Sequence, residues 1–266
     1  MNKRSEKGTV LITGASSGIG ATYANRMALR GYDLLLVARD FPRLQAISAR
    51  LTESYDVNVE VVQADLTSAA DLATVTDRLR GDDTISVLIN NAGIAMNGHL
   101  AESDLDTIDS MILLNVMSLT HLSSAAASNF KTVGRGAVIN VASIVALAPE
   151  MFNAAYSATK AYVLSLTQTL SGELSPHGIY VQAVLPGLTR TEIWKRSGID
   201  DSALPPNMIM EVDEMVDAAL AGFDQGELIT IPSLPNPADW QEFVSARAKL
   251  RPNLSHNQAA ARYKNK

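Results

Sequence analysis

Thr9-Val10-Leu11-Ile12-Thr13-Gly14-Ala15-Ser16-Ser17-Gly18-Ile19-Gly20 is the stretch on which the reading of this chain turns. Its first five residues make an apolar strand, and a helical pattern runs from 18 to 30. Between them lies a glycine-rich turn. Glycines at a strand–helix turn let the backbone approach a pyrophosphate, whose charge then rests on the helix N-terminus. The spacing here is G-x-x-x-G-x-G rather than the common G-x-G-x-x-G fingerprint. Taken alone, such a turn also reads as a tight connection. Its place directly after the first strand argues for a nucleotide.

Outward from this turn, short β-rich runs alternate with longer helical patterns. Residues 34–38 form a wholly apolar strand, as expected of one buried on both faces. A helix at 43–54 leads to a strand at 57–63. A third helix follows Ser68 and ends near Gly81, and 87–89 is a fourth strand. A long helical region at 105–130 precedes the strand 137–141. The helix 153–174 stops at Ser175-Pro176-His177-Gly178, and 179–185 is a sixth strand. An irregular stretch reaches about Asn207, followed by a helix at 212–223 and a last strand at 227–231. The tail from Pro237 holds a helix at 240–250. With right-handed crossovers, this order predicts an α/β fold: one doubly wound parallel sheet of Rossmann type with helices on both faces. No linker or repeat divides the chain, so residues 1–266 are expected to form a single domain.

Composition narrows the function. Aromatics are only 5% of the chain, so the core must be built from Ala, Val, Ile and Leu. A formal net charge of −6 leaves no basic face, so nucleic acid is not an expected partner. The absence of cysteine excludes disulfides, thiolate nucleophiles and Cys-ligated metal, and fits a reducing cytoplasm. Met1 to Lys7 is charged and lacks the apolar stretch of a signal peptide. No apolar run approaches the ~20 residues of a membrane span, so a cytoplasmic protein without a membrane partner is expected. His99, His121, His177 and His256 show no metal-ligand spacing, and no metal is expected.

Four further motifs follow the glycine turn in order. Asn90-Asn91-Ala92-Gly93 ends the fourth strand, and Asn115 lies in the long helical region. Ser143 follows the fifth strand, with Tyr156-x-x-x-Lys160 after it, and Pro186-Gly187 follows the sixth. Each alone has a plain structural reading: a surface pair, a strand-end turn, a helix defect. Together with Thr13-Gly14-x-x-x-Gly18-x-Gly20, over roughly residues 9–191, they resemble the short-chain dehydrogenases/reductases.

Tyr156 and Lys160 stand four apart and share a helix face. A phenol of pKa about 10 is a poor proton-transfer group at neutral pH, and an adjacent ammonium lowers it. Bringing it to ~7 takes about 3 units, or ~4 kcal/mol. The resemblance implies an oxidoreductase moving a hydride between NADP(H) and a carbonyl or secondary alcohol. It assigns Tyr156 as general acid/base, Lys160 as its partner and a nicotinamide-ribose ligand, and Ser143 as the hydroxyl that polarises the substrate carbonyl. Asn115 resembles the asparagine that holds a water in a relay to Lys160.

For the cofactor, the resemblance implies contacts from Gly14, Ser16, Ser17, Gly18, Ile19 and Gly20 in the turn, and from Asp65-Leu66 at the adenine. Asn91, Ala92 and Gly93 are implied at the adenine ribose, although the asparagines also suit the task of tying strands. Pro186, Gly187 and Thr189 are implied near the nicotinamide. An NAD-preferring site carries an acidic group at the end of the second strand. By the resemblance that position is Ala38, followed by Arg39, whose guanidinium suits a 2′-phosphate, so NADP(H) is expected over NAD(H). Asp40 is expected to cap the helix that Phe41-Pro42 begins; turned inward instead, its carboxylate would serve NAD. The substrate pocket is expected at Val145, Met151, Leu188 and Trp194, with a lid at about 188–206. Pairing of the helices around Asn115 and Tyr156 between subunits, as in this family, implies a homodimer or homotetramer. The rival readings are a non-catalytic NAD(P)-sensing protein, against which Ser143 and Tyr156 speak, and an epimerase or dehydratase of the wider superfamily. The latter resemble Gly-x-x-Gly-x-x-Gly turns with a longer C-terminal domain.

Overall fold

A computed structural model describes residues 5–192 and 206–264. The chain divides into two units, one up to Pro232 and one from Ser233. In the first, seven parallel strands form one sheet in the order β3-β2-β1-β4-β5-β6-β7. They are β1 (Thr9–Thr13), β2 (Asp33–Ala38), β3 (Val59–Gln63), β4 (Ile85–Asn90), β5 (Gly136–Val141), β6 (Ile179–Val184) and β7 (Ile229–Thr230). β2 and β4 are buried at every residue, whereas edge strand β3 is only partly covered. That difference follows from position, since only a central strand has helices on both faces and neighbours on both sides.

Alternate strand residues enter opposite cores. Val10, Ile12, Leu34, Leu36 and Ile89 pack with Tyr23 and Met27 of α1 (Gly18–Leu29), Leu44 and Leu51 of α2 (Phe41–Tyr55), and a later helix at Val212–Asp224. Leu11, Leu35, Val37, Leu88 and Val138 face the other way. They meet Leu72 and Leu79 of α3 (Ala69–Gly81), Phe130 of α5 (Leu119–Val133) and Leu170 of α6 (Ala154–Leu174).

β1 lies between β2 and β4, so the chain reverses its winding there and opens a crevice at the carboxyl ends of β1 and β4. The expected long helix at 105–130 is interrupted. α4 (Leu105–Ile112) passes into a π-helical turn, Leu113–Ser118, before α5 begins. The Ser118 and Thr120 hydroxyls donate back to the Leu114 and Val116 carbonyls at 2.6 and 2.7 Å, bonds that occupy carbonyls of this widened turn. The turn brings Asn115 to the inside, a change of phase that apolar periodicity does not encode.

One sequence expectation needs correction here. The helical stretch Leu105–Val133 is long and apolar enough to cross a membrane by length and composition. In the fold Met111, Leu119, Leu122, Ala125, Ala126 and Phe130 of this stretch are buried in the core, whereas Leu105, Ile112, Leu113 and Met117 stay exposed. The last strand is also shorter than expected. Glu227 directs its carboxylate to the Thr230 hydroxyl, 2.8 Å away, and β7 keeps only the two residues that pair with β6.

Past β6, Leu188 and Arg190 are pinned to Met210 by backbone hydrogen bonds of 2.9 Å each. Most of the expected lid, including Trp194, lies outside the described residues. The helix at Val212–Asp224, α7, follows. In the second unit, α8 (Pro237–Ala248) starts three residues earlier than the pattern suggests, because Asn236 caps it and Pro237 opens it. Its Trp240 and Phe243 rings stack at 5.3 Å.

Candidate active site

The crevice at the switch point is a cleft of about 690 Å³, within the range of ligand sites. Its floor is the β1–α1 turn: Gly14, Ser16, Ser17, Gly18 and Ile19 all line it. Gly14 has φ +65°, and a Cβ there would sit 2.9 Å from the Asn91 side-chain nitrogen and 3.0 Å from the Ala92 Cα. Only glycine satisfies both the dihedral and the space. Ser17, at the N-cap of α1, makes no side-chain cap bond, so the first-turn N–H groups face the cleft without that competitor. A bare turn and an uncapped helix end fit a phosphate-bearing cofactor. Gly20 is a different case. A Cβ on it would strike the Gly14 carbonyl and the Asn91 amide, so it lets the helix pack on the strand and does not line the cleft.

The neighbouring strand ends supply the walls. Ala38, Arg39 and Asp40 come from the end of β2, Asp65 and Leu66 from that of β3, and Asn91, Ala92 and Gly93 from that of β4. Asp40 caps α2, accepting from the Arg43 N–H at 3.1 Å. Asp65 accepts from the Thr67 N–H and hydroxyl at 3.0 and 2.7 Å and lies 3.8 Å from the Arg39 guanidinium. Burial alone would raise its pKa, but the Thr67 hydrogen bonds and then Arg39 outweigh it and hold the carboxyl below its usual value. Asn91 chiefly ties strands: its side chain donates to the Thr13 and Gly14 carbonyls at 2.8 and 3.2 Å.

The proton-transfer residues come together from three elements. Ser143 directly follows β5 and Ala142; its hydroxyl donates to the Pro186 carbonyl at 3.5 Å and lies close enough to Tyr156 to lower the pKa of its phenol. Asn153 caps α6 by accepting from the Tyr156 N–H at 3.0 Å, which fixes the first turn on which the tyrosine stands. Lys160, one turn on, is buried and donates to the Val141 carbonyl at 2.9 Å. Its Nζ lies 5.7 Å from the Tyr156 ring centroid, and Phe152 packs edge-on to that ring at 5.4 Å. Asn115 accepts from the Ile94 N–H at 3.0 Å and donates to the Ile94 carbonyl at 2.9 Å and the Thr159 hydroxyl at 3.2 Å. Its oxygen is 3.1 Å, and the Lys160 Nζ 3.7 Å, from where a Cβ on Gly93 would lie, so Gly93 keeps the gap between them open.

The electrostatics differ from the sequence expectation. Tyr156 retains some exposure, yet burial pushes its phenol up to about 12, with the Ser143 hydroxyl pulling the other way. Burial pushes Lys160 down to about 8. In the protein alone, desolvation therefore outweighs the acidifying pull that the Tyr–Lys spacing suggests. Burial shifts both groups toward their neutral forms, and Lys160 stays mostly charged at pH 7 because that lies below 8.

Other expected residues are distributed around this group. Pro186 and Val145 are buried, Gly187 and Leu188 partly so, and Met151 is exposed. Thr189 is buried, with its hydroxyl on the Gly187 carbonyl at 3.2 Å. Sequence reasoning missed Thr107 and Leu114 on the cleft wall, and it placed Thr191 and Glu192 only within the expected lid. Thr191 lies 3.4 Å from the Cβ position of Gly18, and Glu192 pairs with Arg43 at 3.0 Å. These contacts join positions far apart in the chain and leave no local motif. Among the described residues no cluster of His and carboxylates could hold a metal ion.

Fold and site together define a Rossmann-type oxidoreductase. Residues 8–201 match the short chain dehydrogenase family, and the chain belongs to that family. It is 33% identical over 194 residues to the very-long-chain 3-oxoacyl-CoA reductase of Anas platyrhynchos. That match covers 70% of this chain but only 61% of the reductase. A short-chain dehydrogenase from Sphingobium yanoikuyae, solved in complex with NADPH, is 55% identical with a TM-score of 0.94, over 97% of this chain and 100% of its own. The bulky-bulky ketone specific alcohol dehydrogenase of Comamonas testosteroni is 46% identical with a TM-score of 0.89, over 99% of both chains.

The buried amine gives a test of these electrostatics. A Lys160 pKa of about 8 when folded, against about 10.4 for a free lysine, means that the unfolded chain binds more protons between those values. Wild-type stability should therefore rise with pH across that window, and the charged amine should destabilise the fold at pH 7. Lys160→Met should be more stable than wild type at pH 7 by about 1–3 kcal/mol in urea titration, the lost bond to Val141 offsetting part of the gain. The difference should fade by pH ~10.5. A variant less stable than wild type at pH 7 would contradict the burial argument.

Proposed function

We propose that this chain is an oxidoreductase that transfers a hydride between NADP(H) and a ketone or secondary alcohol. The observation that carries this reading is the convergence of Ser143, Tyr156 and Lys160 beside a glycine-floored cleft at the switch point. When bound, the nicotinamide supplies the hydride to the carbonyl carbon or takes it from the alcohol. Tyr156 is the general acid in reduction: its raised pKa keeps the hydroxyl protonated and able to give its proton to the carbonyl oxygen. Ser143 donates a second hydrogen bond to that oxygen, and Lys160 favours the phenolate left behind. Asn115 holds the Ile94 main chain and Thr159, and so orders the inner end of this group.

Two features support NADP(H) as the preferred form. Ala38 offers no carboxylate to a ribose 2′-hydroxyl, and Arg39 beside it lines the cleft with its side chain well exposed. Asp40 is committed to the α2 cap and to Arg43. The NADPH complex of the Sphingobium yanoikuyae relative is in accord with this. Val145 beside Ser143 and Phe152 against the Tyr156 ring favour an uncharged, largely apolar ketone, in keeping with the bulky-bulky ketone specificity named for the Comamonas testosteroni enzyme. A homodimer or homotetramer is part of the proposal, because Ile112, Leu113 and Met117 stay exposed along the α4–α5 stretch, and Tyr162 of α6 is exposed as well.

Tyr156→Phe should bind NADPH normally yet lose at least ~10²-fold in kcat for ketone reduction, the scale of general acid–base transfer. Activity within a few-fold of wild type would defeat the mechanism. Arg39→Ala should weaken NADPH binding by ~10–150-fold, the equivalent of about 1.5–3 kcal/mol, while NADH affinity barely changes. Equal loss of both cofactors would count against Arg39. Light scattering at micromolar concentration should give a dimer or tetramer mass, and a monomer would refute the assembly.

A further inference from the structure

Among the described residues, the charged side chains that line the cleft are Arg39, Asp40, Asp65 and Glu192: three carboxylates against one guanidinium. Such a wall repels a phosphate unless some of its charge is neutralised. Asp65 faces Arg39 itself at 3.8 Å. Asp40 and Glu192 both pair with a cation that is not part of the cleft wall, Arg43 on the first turn of α2. Its Nη1 lies 3.1 and 3.0 Å from the two Glu192 oxygens, and its Nε lies 3.3 Å from Asp40 Oδ2. The Arg43 backbone N–H also bonds to Asp40, at 3.1 Å. One guanidinium thus spans the gap between the end of β2 and the segment after β6.

All three side chains are about half exposed, so these ion pairs contribute little to the stability of the fold. Their effect on an incoming anion is larger. Asp40 follows Arg39 in the chain and Glu192 lines the same cleft, so each unneutralised charge there would raise the free energy of a phosphate held at Arg39.

We propose that Arg43 is a positioning residue that sets cofactor specificity. By holding Asp40 and Glu192 as neutralised pairs, it lets the site accept a 2′-phosphate at Arg39. The inference rests on the NADP(H) reading above and adds a residue behind the cleft wall to it. It also assigns Glu192 a role as the charge that Arg43 must cancel.

The test is equilibrium binding of NADPH and of NADH to the full chain, followed by cofactor fluorescence, for wild type, Arg43→Ala, Glu192→Gln and the double variant. Arg43→Ala should weaken NADPH by ~10–30-fold at low ionic strength and NADH by less than ~3-fold. The NADPH loss should shrink in ~0.5 M salt, where exposed charges are screened. Adding Glu192→Gln to Arg43→Ala should restore most of the NADPH affinity. Adding Asp40→Asn should restore part of it, since asparagine still caps the helix. A double variant as weak as Arg43→Ala would mean that Arg43 binds the phosphate directly, and would overturn the proposal. So would an equal loss of both cofactors, the mark of a structural role for α2. Failure of the cofactor reading itself would appear in wild type, as NADH bound as tightly as NADPH, and the specificity role would fall with it.

Discussion

The Thr13 hydroxyl accepts the backbone N–H groups of both Asn91 and Ala92, each at 3.0 Å, and Asn91 returns its side-chain amide to the Thr13 and Gly14 carbonyls. This clamp joins the ends of β1 and β4 where the sheet reverses its winding. No helix connects those two strands directly, so their carboxyl ends would otherwise leave polar backbone groups without partners. With them satisfied, the crevice stays open at a fixed width. Gly14 and Gly20 are bound to the same clamp, since a side chain on either would push against Asn91. The floor of the cleft therefore follows from one hydroxyl and one amide.

A second constraint is electrostatic. Lys160 is buried against the sheet, and its surroundings disfavour its charge. A structure selected for stability alone would place an apolar side chain there. The amine instead keeps one strong acceptor, the Val141 carbonyl, and otherwise faces the region of Gly93 and the Tyr156 ring. A destabilising charge beside a phenol that favours neutrality is the pattern expected of a proton-transfer site, where function conflicts with folding.

How far the sequence carried this depends on which forces are local. Central strands were legible because burial on both faces forces unbroken apolar runs, as in Leu34, Leu35, Leu36 and Val37. The turn, the Tyr156–Lys160 pair and the Asp40 cap are set by residues within a few positions of each other, and their placement could be read directly. The π-helical turn at Asn115 could not, because it depends on a side chain engaging Ile94 from another element. Nor could the Glu192–Arg43 pair, whose partners are 149 positions apart. The Tyr156 pKa went the other way from expectation because spacing reports the neighbouring charge and not the desolvation that outweighs it.

What remains is how α6 keeps register with the sheet that carries its partner serine. The Asn90 amide donates to Ser123 Oγ at 3.0 Å and to Asn140 Oδ1 at 2.9 Å, and the Asn140 amide donates to Thr167 Oγ1 at 2.9 Å. These bonds are fully buried and run from β4 through β5 into α6. Asn90 leaves its own oxygen without a partner, so the network is not the most stable filling for this space. An apolar core would pack α6 as tightly but would tolerate a slide along the strand. Directional bonds at Thr167, seven residues beyond Lys160, do not. The same ladder starts at the strand whose end carries Asn91, Ala92 and Gly93. The cofactor wall and the proton-transfer helix are thus referenced to one another through a single chain of side-chain amides, and the buried polar cost is the condition for holding two halves of a site on separate elements.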